Sequence, residues 1–226
     1  MNTINTHCKT PNHFCQLMLS CFMLFGFAPM MSAPPSIHMP AGQTSEVGYS
    51  VNGGAAFQET PLHDLAHMPP PNGALAHIQF HYRYLLDDGY EVGNISTIGY
   101  PSIVSTGVYL RTKGVSNDIF SLSGQAEFGI NWCGIRLPMS LKLDDDAQFT
   151  TQPTIVLGPS SAVSVPLGIS RTLANGWRLD SEIGTRYLLI DSVINGRHFG
   201  PWSLIGQVGI SYHGTSKPKL GRSVWD

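Results

Sequence analysis

The sequence predicts an all-β fold: a single antiparallel up-and-down transmembrane β-barrel of about eight strands with a polar, mixed-charge lumen. Three observations carry this prediction. Apolar and polar residues alternate with a period of two along most of residues 45–213, the signature of strands with one apolar face. Only 12% of the residues are Asp, Glu, Lys or Arg, about half the ~25% usual for soluble domains. The charges that are present fall on one face of the alternating segments.

At 226 residues and a formal charge of −2, the chain suits one barrel-sized domain. It lacks the dense Lys/Arg footprint that binding to nucleic acid requires. Residues 1–33 read as an export signal. Lys9 precedes the apolar run Phe14 to Phe27, "FCQLMLSCFMLFGF", which is too short for a helix that spans a bilayer and suits the h-region of a secretory signal. Three of the four cysteines lie in that segment and only Cys133 follows it, so no internal disulfide framework is available. Residues 34–44 read as a linker, 45–213 as the barrel and 214–226 as a polar tail.

Within the barrel, Val47, Tyr49, Val51, Ala55 and Phe57 oppose Glu46, Gly48, Ser50, Asn52 and Gly54. Next, Ala76, Ile78, Phe80, Tyr82 and Tyr84 oppose His77, Gln79, His81 and Arg83. In the third segment Val104, Thr106, Val108 and Leu110 stand against Ser105, Gly107, Tyr109 and Arg111. Residues 120–132 place Phe120, Leu122, Ala126, Phe128, Ile130 and Trp132 against Ser121, Ser123, Gln125, Glu127 and Asn131. Ile135, Leu137, Met139, Leu141 and Leu143 then alternate with Arg136, Ser140 and Lys142. Val163, Val165, Leu167 and Ile169 oppose Ser164, Gly168 and Ser170. In "WRLDSEIGTRYLL" Trp177, Leu179, Ile183 and Tyr187 oppose Arg178, Asp180, Glu182 and Arg186. The last segment sets Leu204, Val208, Ile210 and Tyr212 against Gln207, Gly209, Ser211 and His213.

These eight segments are joined by turn signals at Cys133–Gly134, Ala174–Gly176 and residues 113–118, and by long connections at 58–73, 87–101 and 144–160. Pro138 and Pro166 fall within strands, where each removes a ladder donor, so bulges are expected there.

Alternation does not say which face is inside. A soluble lipocalin-like barrel buries the apolar face around a ligand; a transmembrane barrel turns it to lipid. The polar faces favour the second arrangement. They are rich in Ser, Gly, Gln, Asn and His, and their charges are of both signs: Arg83, Arg111, Arg136, Lys142, Arg178 and Arg186 against Glu127, Asp180 and Glu182. Charges tolerate burial when paired. The expected lumenal network therefore comprises these residues with His77, Gln79, His81 and Gln125. Phe80, Tyr82, Tyr84, Phe128, Trp132, Trp177, Tyr187 and Tyr212 are expected to face lipid, most of them gathered toward strand ends as interfacial girdles are.

On these features the chain resembles the small eight-stranded outer-membrane barrels of Gram-negative bacteria, the OmpA-transmembrane and OmpX-like class. The resemblance spans about residues 45–213 and rests on architecture. It implies an outer-membrane location in the cell envelope, a plugged lumen without a wide porin-like channel, and a role in structural support or in surface loops. The chain departs from the class at its end, where "HGTSKPKLGRSVWD" follows Tyr212.

Other constellations carry weaker chemistry. "HDLAH" (His63, Asp64, His67) has the two-His spacing of zinc proteases but lacks the Glu general base, and three prolines follow. His77 and His81 share a face with Ser121, Ser123, Glu127 and Glu182, the ingredients of a lipid-acting esterase. The acidic run Asp144 to Asp146 could hold Ca²⁺. The better reading of each is a solvated loop or a hydrogen-bonded plug, so no catalytic residue, metal or cofactor is expected. The expected partners are the lipid bilayer and an envelope or extracellular molecule met by loops 58–73 and 144–160. The alternatives are a narrow channel or carrier for small or hydrophobic molecules, a lipid-modifying barrel enzyme and a soluble lipocalin-like binder.

Overall fold

The computed structural model describes residues 43–57, 71, 73–86, 89–100, 104–112, 114–158, 161–189, 193–194, 197–198 and 201–214. The export signal, most of the linker, the body of the 58–73 connection with its His63 and His67, and the tail after Gly214 lie outside these residues.

The barrel has ten strands rather than eight. They are β1 (Ser45–Phe57), β2 (Gly73–Leu85), β3 (Glu91–Tyr100), β4 (Val104–Arg111, resuming at Val115–Ser116) and β5 (Phe120–Leu122 and Gln125–Gly129). Then follow β6 (Cys133–Arg136 and Met139–Lys142), β7 (Ala147–Thr151 and Thr154–Leu157), β8 (Ala162–Thr172), β9 (Trp177–Leu188) and β10 (Trp202–Gly214). Each strand pairs antiparallel with the next, and β10 pairs with β1 to close the ring. A small hairpin pairs Val193–Ile194 with Arg197–His198 between β9 and β10.

The two additional strands occupy what the sequence pattern reads as long loops. In β3 the outward positions include Asn94 and Ser96 while Ile95 is buried inside, so the apolar–polar alternation runs partly backwards. In β7 the ladder is interrupted at Gln152–Pro153, which splits an alternating run into two pieces too short to register. The 144–160 segment is therefore mostly wall. Its turn, Asp144–Asp146, lies on the same rim as Ser45 and Gly214, opposite the rim that carries the 58–73 connection. Cys133 and Gly134 open β6 instead of forming a turn; the turn is at Ile130–Trp132.

Pairing fixes the tilt. A row of partners from Glu46 passes through Arg83, Gly93, Tyr109, Glu127, Gly134, Val156 and Ala162 to Leu188. It begins at one rim and ends at the other, so the strands cross the barrel axis obliquely, as closure requires. The prolines sit where the ladder changes partner. Ser123 N–H donates to the Pro138 carbonyl (3.0 Å) and Leu137 N–H to the Pro153 carbonyl (3.0 Å). The Thr151 hydroxyl donates to the Pro166 carbonyl (2.6 Å). Gly184, opposite Pro166, leaves the room that its ring needs.

The sequence's apolar face is outside. Val47, Val51, Val108, Ile183 and Val208 are exposed, each by more than half. Arg83, Arg111 and Glu127 are fully buried. Aromatic pairs mark both rims: Trp177 packs on Tyr212 with ring centroids 5.3 Å apart, and Tyr187 on Trp202 at 4.8 Å. Tyr82, Val47, Tyr212 and Trp177 form one register row near the termini.

Trp132 corrects the sequence reading. It lies just past the end of β5, where Gly129 N–H donates to its carbonyl (2.8 Å). The turn carries its indole inward over Gly107 and Gly129, where it is buried against Val156. Only glycine leaves space for it: a Cβ on Gly107 would stand 2.6 Å from the indole and 2.9 Å from the Phe128 carbonyl oxygen. Gly107→Ala is expected to destabilise the folded barrel by about 1–3 kcal/mol through overpacking, read as a lower urea midpoint for unfolding from detergent micelles.

Candidate functional site

The inward residues assemble into one hydrogen-bonded charge network. It begins on β9, where Arg178 Nε donates to both oxygens of Asp180 (2.9 and 3.0 Å). The guanidinium's other nitrogens clamp Glu46 on β1, Nη1 to Oε2 at 2.9 Å and Nη2 to Oε1 at 3.1 Å. This planar fork-on-carboxylate geometry is the strong form of the ion pair. Arg83 on β2 bridges Glu46 (2.5 Å) and Glu91 on β3 (2.9 Å). Arg111 on β4 bridges Glu91 (3.2 Å) and Gln125 on β5 (2.7 Å).

From Gln125 the chain of contacts continues through its amide to Glu127. Arg136 on β6 reaches Glu127 (3.1 Å) and Gln152, between the halves of β7 (3.2 Å). Gln152 in turn donates to Glu182 (2.9 Å), back on β9. Two imidazoles complete the hub: Nε2 of His81 is 2.9 Å from Glu46 Oε1, and Nε2 of His213 on β10 hydrogen-bonds the same carboxylate. Arg178 Nη1 lies 3.1 Å from that same His213 nitrogen.

Nine of the ten strands thus contribute to the network, and its two ends, Asp180 and Glu182, both lie on β9. Local sequence places these groups because each sits on an even step of its strand, and register does the rest: Glu46 is opposite both Arg83 and His213, and Glu91 opposite Arg111. Among the described residues the buried acidic and basic side chains are five carboxylates (Glu46, Glu91, Glu127, Asp180, Glu182), five guanidiniums (Arg83, Arg111, Arg136, Arg178, Arg186) and three imidazoles (His77, His81, His213), with the phenol of Tyr109 beside them. The acids and the arginines balance, the condition under which so many charges survive removal from water.

His77, Gln79, His81, Arg83, Arg111, Gln125, Glu127, Arg136, Arg178, Asp180, Glu182 and Arg186 all lie inside the barrel. Lys142 does not. It stands at the rim with half its side chain exposed and pairs with Asp145 at 2.7 Å, because β6 ends there and a long flexible stem turns outward to water. The Lys142 ammonium holds the Asp145 carboxyl below its ordinary range through that hydrogen bond. Phe80, Tyr82, Phe128, Trp177, Tyr187 and Tyr212 are exposed on the outer face and Tyr84 is half-buried.

Glu46, Glu91, Gln152 and His213 are network members beyond the expected set. Glu46 and His213 are on the polar faces read from the sequence; Glu91 and Gln152 belong to the unrecognised strands. The groups of the esterase alternative are dispersed: Ser121 bonds Ser140 (2.9 Å) and His81 bonds Glu46. Among the described residues no three His, Cys, Asp or Glu converge as metal ligands. In the acidic run, Asp144 caps its own turn, accepting from the Asp146 and Ala147 amides at 2.8 and 2.6 Å.

No family model and no curated relative matches the sequence. Solved structures with a similar fold are outer-membrane barrels. The NanC porin is 10% identical over 73% of this chain and 98% of its own, with a TM-score of 0.44. An outer membrane channel from Pseudomonas putida F1 is 6% identical over 80% of this chain and 100% of its own, with a TM-score of 0.46. Neisserial surface protein A is 13% identical over 76% of this chain and 97% of its own, with a TM-score of 0.33. At such identities and scores the likeness is one of architecture, and no residue role is carried across.

Proposed function

We propose that this chain is an integral barrel of the bacterial outer membrane whose lumen is sealed. In this reading it serves the envelope as a stable wall element and meets partners through the segment between β1 and β2, without being an enzyme. The observation that supports it most is the inversion of polarity: fully buried Arg83, Arg111 and Glu127 inside a wall whose outer valines and isoleucines are about half exposed. A contiguous apolar belt of this kind is stable against hydrocarbon and is a liability in water. The short apolar run at residues 14–27 supports export. The network supports a closed lumen, since side chains from nine strands meet one another inside the barrel.

A second reading, a narrow polar pathway, is favoured by one specific feature. Beyond the network, both amide atoms of Asn52 and Gln79 and the Oε1 of Gln207 are buried without a hydrogen-bond partner among the described residues. These residues are on the adjoining strands β10, β1 and β2. Two measurements test the proposal. The purified full chain should require detergent and run at a different gel mobility before and after boiling, and it should show no conductance above background in planar bilayers at neutral pH. A protein that remains in aqueous solution without detergent overturns the membrane reading; steady neutral-pH conductance decides for the pathway.

A further inference from the structure

The lumen is charge-balanced only while its imidazoles are neutral. Counted at formal charge among the described residues, the five buried carboxylates and five buried guanidiniums cancel, so a proton taken up by a buried histidine adds positive charge to the lumen. Two of the three histidines meet at one carboxylate. Glu46 is faced from β2 by His81 and Arg83, from β9 by Arg178 with Asp180 behind it, and from β10 by His213. Glu91 on β3 lies beyond Arg83. One anion therefore already serves two permanent cations before either ring is protonated.

His213 is the most constrained of these groups, because its Nε2 touches both Glu46 and Arg178 Nη1, the latter at 3.1 Å. As a neutral ring its Nε2 can donate to Glu46 or accept from the guanidinium but not both at once; as an imidazolium it sets a cation directly against one. Like charges in a site from which water is excluded repel strongly, and the repulsion is relieved by admitting water or by separating the groups. Histidine is the side chain whose charge changes in this way between about pH 5 and 8.

We propose that acid opens the plug: protonation of His81 and His213 beside Glu46 leaves the lumen with excess positive charge, and the network hydrates into an anion-preferring conduit. The inference rests on the reading of a sealed barrel. Positive charge lining a pore selects anions, so the current has a predicted sign as well as a predicted pH.

The test is planar-bilayer recording of the purified full chain under a KCl gradient at about pH 7.5 and about pH 5, near the two ends of the range over which histidine as a residue type changes charge. The expected result is a closed protein at the higher pH and, at the lower, at least about tenfold more open time with a reversal potential toward that of chloride. The double variant His81→Gln with His213→Gln, checked for heat-modifiable mobility, should stay closed in acid. Should the pair fail to fold, each single variant should reduce the acid-induced open time. Closure of the natural chain at both values overturns the inference alone. Acid opening that both single variants retain in full overturns it as well. Equal conductance at both values instead defeats the sealed-barrel reading on which it stands.

Discussion

Replacing Glu46 by alanine is expected to cost about 3–5 kcal/mol of barrel stability, the range for breaking a buried ion pair by removing one partner. The residue is 1% exposed and accepts from Arg83 and from both terminal nitrogens of Arg178. Its removal takes one carboxylate partner from each of two buried guanidiniums. Arg83 keeps Glu91 and Arg178 keeps Asp180, so the cost should fall toward the lower end of the range. The check is a urea titration of the protein folded into phospholipid vesicles, followed by tryptophan fluorescence. A double-mutant cycle with Arg83→Ala then isolates the pairwise part, since residues in one network are strongly non-additive. A Glu46→Ala midpoint equal to that of the natural chain would mean that the network does not hold the lumen shut.

The division of each strand into an apolar and a polar face was readable from the sequence because wall strands have a strict period of two and hardly any helical pattern competes with it. The meeting of Arg178, Glu46 and Arg83 was not readable. It depends on which strands adjoin, and a pattern repeating every two residues carries no information about neighbours or register. The strand count failed at β3 and β7 for a related reason: Asn94 and Ser96 face outward on β3, where Ser96 is satisfied by a hydrogen bond to Thr106 on β4 (3.0 Å), and Pro153 divides β7. A lateral partner can thus make a polar outward residue acceptable, and only the folded sheet supplies it. Trp132 and Lys142 mark the other limit. Both keep the parity of their strands but lie at a strand's end, where the pleat no longer dictates direction and a turn or a flexible stem does.

Val208→Arg separates the two barrels that the alternation allows, and its expected cost is about 2–4 kcal/mol, the range for a basic residue on the lipid face at the bilayer midplane. Val208 lies in the middle of β10, paired with Val51 and Ser181, and is 57% exposed. In a water-soluble barrel such an exposed position would accept arginine within about 0.5 kcal/mol. The discriminating control is Val47→Arg, equally exposed but in the row of Tyr82, Tyr212 and Trp177. There the guanidinium can reach the headgroups, and the expected cost falls to about 0–1 kcal/mol. The two variants differ in depth and not in exposure, so a gap of about 2 kcal/mol or more between them in vesicle-folding equilibria reports hydrocarbon at Val208. If both substitutions are neutral, the outer face is wetted by water and the barrel is not a membrane protein, whatever its interior holds.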